Sequence, residues 1–339
     1  GQYDKAIENF QEALAIARRY GEEEAIAELL ISIGTAYNFR GQHDKAMKNV
    51  QQALAIARKL GNENAIAFSL MGIGQTYSSW GQHDKAMENL QEALAIYRKL
   101  GNENAIALSL NNIGTAYNLR GQQDKAIENF QQALAIHRKL GREAEVATSL
   151  NSIAGVYLAW GQYDKAIKNN QQALAIARRR GNEKAIIVSL NNIGTAYNFR
   201  NQHDKAIENF QEALAIARRR GNEKAIAESL IDIGQGYEYW DKKDKAMENF
   251  QQALAIYRKL GNEVGIATSL ESIGKVYEYW DKYDKANENY QQALAIARRR
   301  GNEKAIATSL DSIGNLYKSW GKNDKAIENL QEALAIHRK

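Results

Sequence analysis

Four carboxylates, Glu238, Glu271, Glu278 and Asp311, are the residues of this chain best placed to exchange protons. Two acids held about one substrate could act as general acid and base. Here they lie along a polar stripe beside Lys275 and Lys318, which suits solvation or pairing with a ligand better than catalysis. The histidines are His43, His83, His137, His203 and His337. Three of them recur in one kind of turn, a repeat or more apart, too separated to share a metal, and no His-Glu-x-x-His pair occurs. All five are expected at surface turns. Gly274-Lys275 runs into Val276 and lacks the upstream glycine of a phosphate-binding loop. Zero cysteine removes disulfides, thiolate metal sites and cysteine nucleophiles together, and is compatible with a reducing cytoplasm, the expected location. Neither an enzyme nor a cofactor is expected.

Arginine runs at 178–180, 218–220 and 298–300 raise nucleic acid as a partner. Each run closes a helix, where cations offset the carbonyl end of the dipole, and no aromatic platform for single strands accompanies it. Nucleic acid is therefore not expected. The net charge of +5 is mild for 339 residues. No run approaches the ~18 apolar residues of a membrane span, and no membrane partner is expected. A first residue of Gly1 rather than Met suggests a piece of a longer protein.

The elements that position these residues come from repetition. "SLNNIGTAYN" at 109–118 returns at 189–198, and "DKAIENFQEALAIARR" at 4–19 has counterparts throughout, down to "DKAIENLQEALAIHRK" at 324–339. The step is 40 residues, giving units 1–40, 41–80, 81–120, 121–160, 161–200, 201–240, 241–280 and 281–320, with a half-unit 321–339. Such a period is the signature of a solenoid, and 1–339 is read as one array. "GTAYN" occurs at 34, 114 and 194 but not at 74 or 154, which points to duplication of an 80-residue pair.

Each unit reads as two helices. The first follows Asn62, a capping residue, and runs to about Trp80; the second follows "GQHD", with Asp84 as its expected cap, and ends at Gly101. The absence of proline suits helices of about 16–18 residues. Neither is apolar all round, so neighbours must bury each other's stripes. In the first helix Leu110, Ile113, Gly114 and Tyr117 hold places that hardly change between units, spaced 0, +3, +4 and +7 on one face. That stripe is assigned to packing. Leu108, Asn111, Asn112, Thr115, Asn118 and Leu119 form the opposed face, and their counterparts vary.

Leu110, Ile113, Gly114, Tyr117, Ala126, Phe130 and Ala133 together resemble the tetratricopeptide repeat, and the pattern recurs in every full unit. The 40-residue step, longer than the usual one, and the missing proline make it similar to repeats of kinesin light chains, of Leu-Gly-Asn-type polarity adaptors and of bacterial signalling proteins. The resemblance implies an all-α, right-handed α-solenoid whose first helices line a concave groove that holds a peptide or protein segment. The residues it places there are Asn111, Asn112, Asn118, Asn151, Asn191, Asn192, Asn198, Phe199, Gln235, Glu238, Tyr239, Glu271, Lys275, Glu278 and Tyr279. An asparagine amide offers a donor and an acceptor, matching a peptide unit. Because the face changes from apolar (Ile31, Phe68, Met71) to acidic and aromatic, it would suit a segment with an apolar part and a basic part. Alternatives are a sensor arm of a larger bacterial signalling protein, an ATPase switch or a caspase-like protease, and end-to-end self-association through uncapped termini.

Overall fold

The computed structural model describes residues 2–338, so Gly1 and Lys339, the outer limits of the repeat boundaries, lie outside the described residues. Seventeen α-helices and no strand are present among them. The chain forms two compact units, Gly1–Gln162 and Tyr163–Lys339, and the 40-residue sequence period runs through their boundary without an insertion. The first unit holds α1 (Gln2–Tyr20), α2 (Glu23–Phe39), α3 (His43–Leu60), α4 (Glu63–Ser79), α5 (His83–Leu100), α6 (Glu103–Leu119), α7 (Gln123–Lys139) and α8 (Glu143–Ala159). The second holds α9 (Tyr163–Arg179), α10 (Glu183–Phe199), α11 (His203–Arg219), α12 (Glu223–Tyr239), α13 (Lys243–Lys259), α14 (Glu263–Tyr279), α15 (Tyr283–Arg299), α16 (Glu303–Ser319) and α17 (Asn323–His337).

Six of the eight even helices start at an asparagine cap: Asn62 Oδ1 accepts from the Ala65 amide at 3.0 Å, and Asn102, Asn182, Asn222, Asn262 and Asn302 repeat the bond, whereas α2 and α8 start at Glu22 and Arg142 without a side-chain bond. Odd helices correct the expected cap. α5 begins at His83, so Gln82 is the N-cap without a side-chain bond, and Asp84 lies inside the first turn. There its charge complements the dipole and meets Arg120 at 2.7 Å. The preceding turn forces that early start: Gly81 takes φ +79°, and the Gln82 amide bonds back to the Tyr77 carbonyl at 2.9 Å. Asn201, Asp241 and Asp281 replace glycine at this left-handed place, where short polar side chains are tolerated.

Packing follows the unchanging stripe. Leu110, Ile113 and Gly114 are buried, and a Cβ on Gly114 would come within 2.9 Å of the Phe130 ring. The same close approach of an even helix to the next odd helix recurs at Gly194 with Phe210 and at Gly234 with Phe250. Within each unit successive even helices also touch, α2 with α4 and α4 with α6 in the first, α10 with α12 and α12 with α14 in the second. Among the described residues no odd helix packs closely on the next odd one. This is α-solenoid architecture: a layer of even helices backed by odd ones.

A candidate binding face on the even helices

The side of each even helix turned away from the packing stripe is graded in depth. In α6, Leu108, Thr115 and Leu119 are exposed, while Asn111, Asn112 and Asn118 are half-buried. Asn151, Asn191 and Asn192 are half-buried as well, and Gln235 and Lys275 are exposed. Asn198 is withdrawn. It is 3% exposed, and its Oδ1 accepts from His203 Nδ1 at 3.2 Å. The amides are thus partly committed to the array. Asn191 Nδ2 donates to Asp232 Oδ2 at 2.6 Å and Asn111 Nδ2 faces His137 Nε2 at 3.5 Å, while both Oδ1 atoms are buried and without a donor.

Two of the late acids are also occupied. Glu271 accepts from Ser309 Oγ at 2.5 Å and Ser312 Oγ at 3.2 Å, and Glu278 accepts from the Tyr290 hydroxyl at 3.0 Å. Burial, and then Glu278 beside it, hold the Tyr290 hydroxyl well above its ordinary pKa. Glu238 is half-buried, and its backbone carbonyl accepts from Lys243 Nζ at 3.0 Å. Asp311 lies 3.2 Å from His337. The aromatic members remain open. Phe199 is 43% exposed, with Tyr163 stacked on it at 5.5 Å and Tyr239 edge-on at 5.7 Å. Tyr239 and Tyr279 are each 56% exposed, and Lys243 stands 4.4 Å over the Tyr279 ring. A hydrogen bond to Asp241 raises the Tyr279 pKa.

A cavity of about 300 Å³ opens on this face among Thr35, Gln75, Asn112, Thr115 and Leu119, and two more lie along it. One, of about 640 Å³, lies in the first unit among Phe68, Met71, Leu108, Asn111, Tyr97 and His137. The other, of about 420 Å³, lies in the second among Ala267, Glu271, Lys275, Ala297, Arg300 and Ala305. Their floors come from one place in the odd helices, which sequence reasoning passed over: Tyr97 and His137 in the first, Ala297 in the second. His137 is 4% exposed rather than at a surface turn, because this place lies beneath the even helices; burial lowers its pKa. The alternation of alanine, tyrosine and histidine there (Ala57, Tyr97, His137, Ala297) was the available signal.

Several other expectations can be placed. Trp80 stacks on His43 at 6.0 Å and Trp240 on His203 at 6.2 Å, while Arg40 and Arg200 reach Asp4 and Asp164 from the same register, so this place covers turns. The arginine runs are engaged with neighbouring helices: Arg219 and Arg220 with Glu183, Arg178 with Glu212, Arg299 with Glu263. Among the described residues no group of three or more His, Asp or Glu side chains could hold a metal ion, and no helix is long and apolar enough to cross a membrane.

A tetratricopeptide repeat family model matches residues 1–59, 26–99, 105–179, 185–259 and 265–339. No curated protein matches the chain in sequence. Solved structures similar in fold include nearly identical repeats of a kinesin light chain-like protein from P. anserina, 23% identical, TM-score 0.51, covering 59% of this chain and 99% of that one. A Rap protein solved in complex with Competence and Sporulation Factor is 15% identical, with TM-score 0.58 and coverage of 93% and 98%. The quorum sensor NprR of B. thuringiensis, in its apo form, is 13% identical, with TM-score 0.65 and 99% coverage of both chains.

Proposed function

The chain belongs to the tetratricopeptide repeat family, and from that premise we propose that it is a non-enzymatic scaffold holding an extended peptide or protein segment against its even-helix face. The observation that carries the reading is the exposed aromatic run Phe199–Tyr239, joined by Tyr279 further along, on helices whose opposite side is closely packed. Rigid aromatic side chains left open to water are anchors of the kind that dominate interface energies. The cavity floored by Tyr97 and His137 adds a recess beside the half-buried amide of Asn111, and the one floored by Ala297 adds a recess beside Glu271 and Lys275. One similar fold, the Rap protein, was solved with a factor bound, which supports a ligand-holding role for such arrays. The residues proposed to meet the segment are the exposed and half-buried members of the set given above, with Asn198 left out.

The test replaces Asn111, Asn191, Tyr239 and Tyr279 by alanine together and compares affinity capture from the source organism's lysate by mass spectrometry. Partner capture is expected to be lost, with helicity by circular dichroism unchanged. Equal capture by the substituted protein refutes the assignment.

A further inference from the structure

Asp232, on α12, stands where the other even helices carry serine, glycine or asparagine (Ser32, Gly72, Asn112, Ser272), so packing does not require an acid there. It is half-buried, and one carboxylate oxygen accepts from Asn191 Nδ2 of α10 at 2.6 Å. Among the described residues no lysine, arginine or histidine forms an ion pair with it. Glu228, one turn earlier on α12, adds negative charge from the same side, and its own partner Lys224 is 3.6 Å away. From α13 the group that faces the two acids is the neutral Tyr257 hydroxyl, whose pKa burial and these carboxylates push up to about 12. The Asn191 oxygen beside them is buried and has no donor. The locality therefore gathers acceptors and negative charge while its cation, Lys224, pairs with Glu228 and not with Asp232, and a carboxylate withdrawn from water without an ion partner is costly.

We propose that Asp232, with Asn191 and Glu228, is the receptor for one basic side chain, arginine or lysine, of the segment bound on the even-helix face. The inference rests on the binding reading above and adds to it the chemistry of one subsite. A guanidinium or ammonium group supplies only donors and a positive charge, which is what this acceptor set lacks. Asn191 is the positioning residue: its amide nitrogen must face the carboxylate, which fixes one oxygen and leaves the other for the ligand. Burial, and then Glu228, raise the Asp232 pKa to about 7, so the receptor is charged above neutrality and loses its charge below it.

The experiment selects a phage-displayed dodecapeptide library at pH 8 on the full chain and on Asp232→Asn, a substitution that copies Asn112 and Asn192 of the same register. Selected peptides are then synthesised with the basic residue kept or replaced by citrulline or norleucine, and binding is followed by fluorescence anisotropy. The wild-type chain is expected to enrich a basic residue at one peptide position and to lose about tenfold in affinity on its replacement, and Asp232→Asn to show neither effect. Lowering the pH from 8 to 6 should weaken wild-type binding about tenfold, as a group with a pKa near 7 takes up its proton. Binding to Asp232→Asn should not follow that course. Peptides that bind both proteins alike, with no preference for a cation, would overturn the receptor and leave the face as a binding surface. Failure to select any peptide on either protein would remove both readings.

Discussion

At the scale of single residues, Asp232 makes a claim on stability that can be measured without any ligand. Its pKa is raised from 3.8 to about 7 in the folded chain, so between about pH 4 and 7 the folded state binds more protons than the unfolded one. Stability from this group is therefore highest below pH 4 and falls as pH rises to 7. His43 and His137 act in the opposite sense, because burial lowers their pKa, so the comparison must be with Asp232→Asn rather than with a pH scan alone. Chemical denaturation should find the variant more stable by about 1–3 kcal/mol above pH 7, the scale of desolvating a carboxylate that has one hydrogen bond and no ion partner, with the gap closing towards pH 4. A variant less stable than wild type at pH 8 would mean that the carboxylate holds the array together. Sequence reading found the variable face on which Asp232 lies but not Asp232 itself. A single acid among serines and asparagines looks like drift until its surroundings are known. The same holds for Asn198, which in sequence is one more member of the amide row and in space is bonded to His203.

At the scale of elements, the glycines separate two roles that composition cannot distinguish. A Cβ on Gly194 would lie 2.6 Å from the Phe210 ring, whereas one on Gly155 of α8 would meet nothing within 4 Å. Gly194→Ala is expected to lose about 1–3 kcal/mol through overpacking. Gly155→Ala should instead gain up to about 1 kcal/mol, because alanine is the better helix former in open space. Urea denaturation of the two variants checks the pair, and equal effects would contradict the packing assignment. Most of this level was legible beforehand, since a Leu, Ile, Gly and Tyr stripe broken only by Ala154 leaves little freedom in how helices meet. The caps were read half correctly. Asn62 serves α4 as its side chain implies, whereas Asp84 was displaced into the first turn because the preceding left-handed glycine starts α5 two residues sooner.

At the scale of the molecule, a constant 40-residue step makes two layers of helices with different histories. The odd layer keeps Lys85, Asn89, Gln91 and Arg98 and their counterparts in every unit, while the exposed places of the even layer diverge. Asn89 and its counterparts turn back to bond the carbonyl four residues earlier, and Lys85 and its counterparts cover the tyrosines of the preceding even helices, as Lys85 covers Tyr77 at 5.4 Å. The constancy of Lys85 and Asn89 has these structural reasons, and the divergence of the even layer is the ground on which we propose it as the face for a partner. The architecture was readable from periodicity because repetition forces each unit to bury its neighbour's stripe. The partner was not, because divergence supports a proposal of where a ligand meets the chain and carries nothing of the ligand's own chemistry. The most direct measurement places a photo-cross-linking amino acid at Thr115, Gln235 or Lys275 on the even helices, or at Gln91, Gln131 or Gln211 on the odd ones, and compares partner cross-links in lysate by mass spectrometry. The account predicts cross-links from the even-helix sites and none above background from the odd. Cross-links of equal yield from the odd helices, or from them alone, would contradict it.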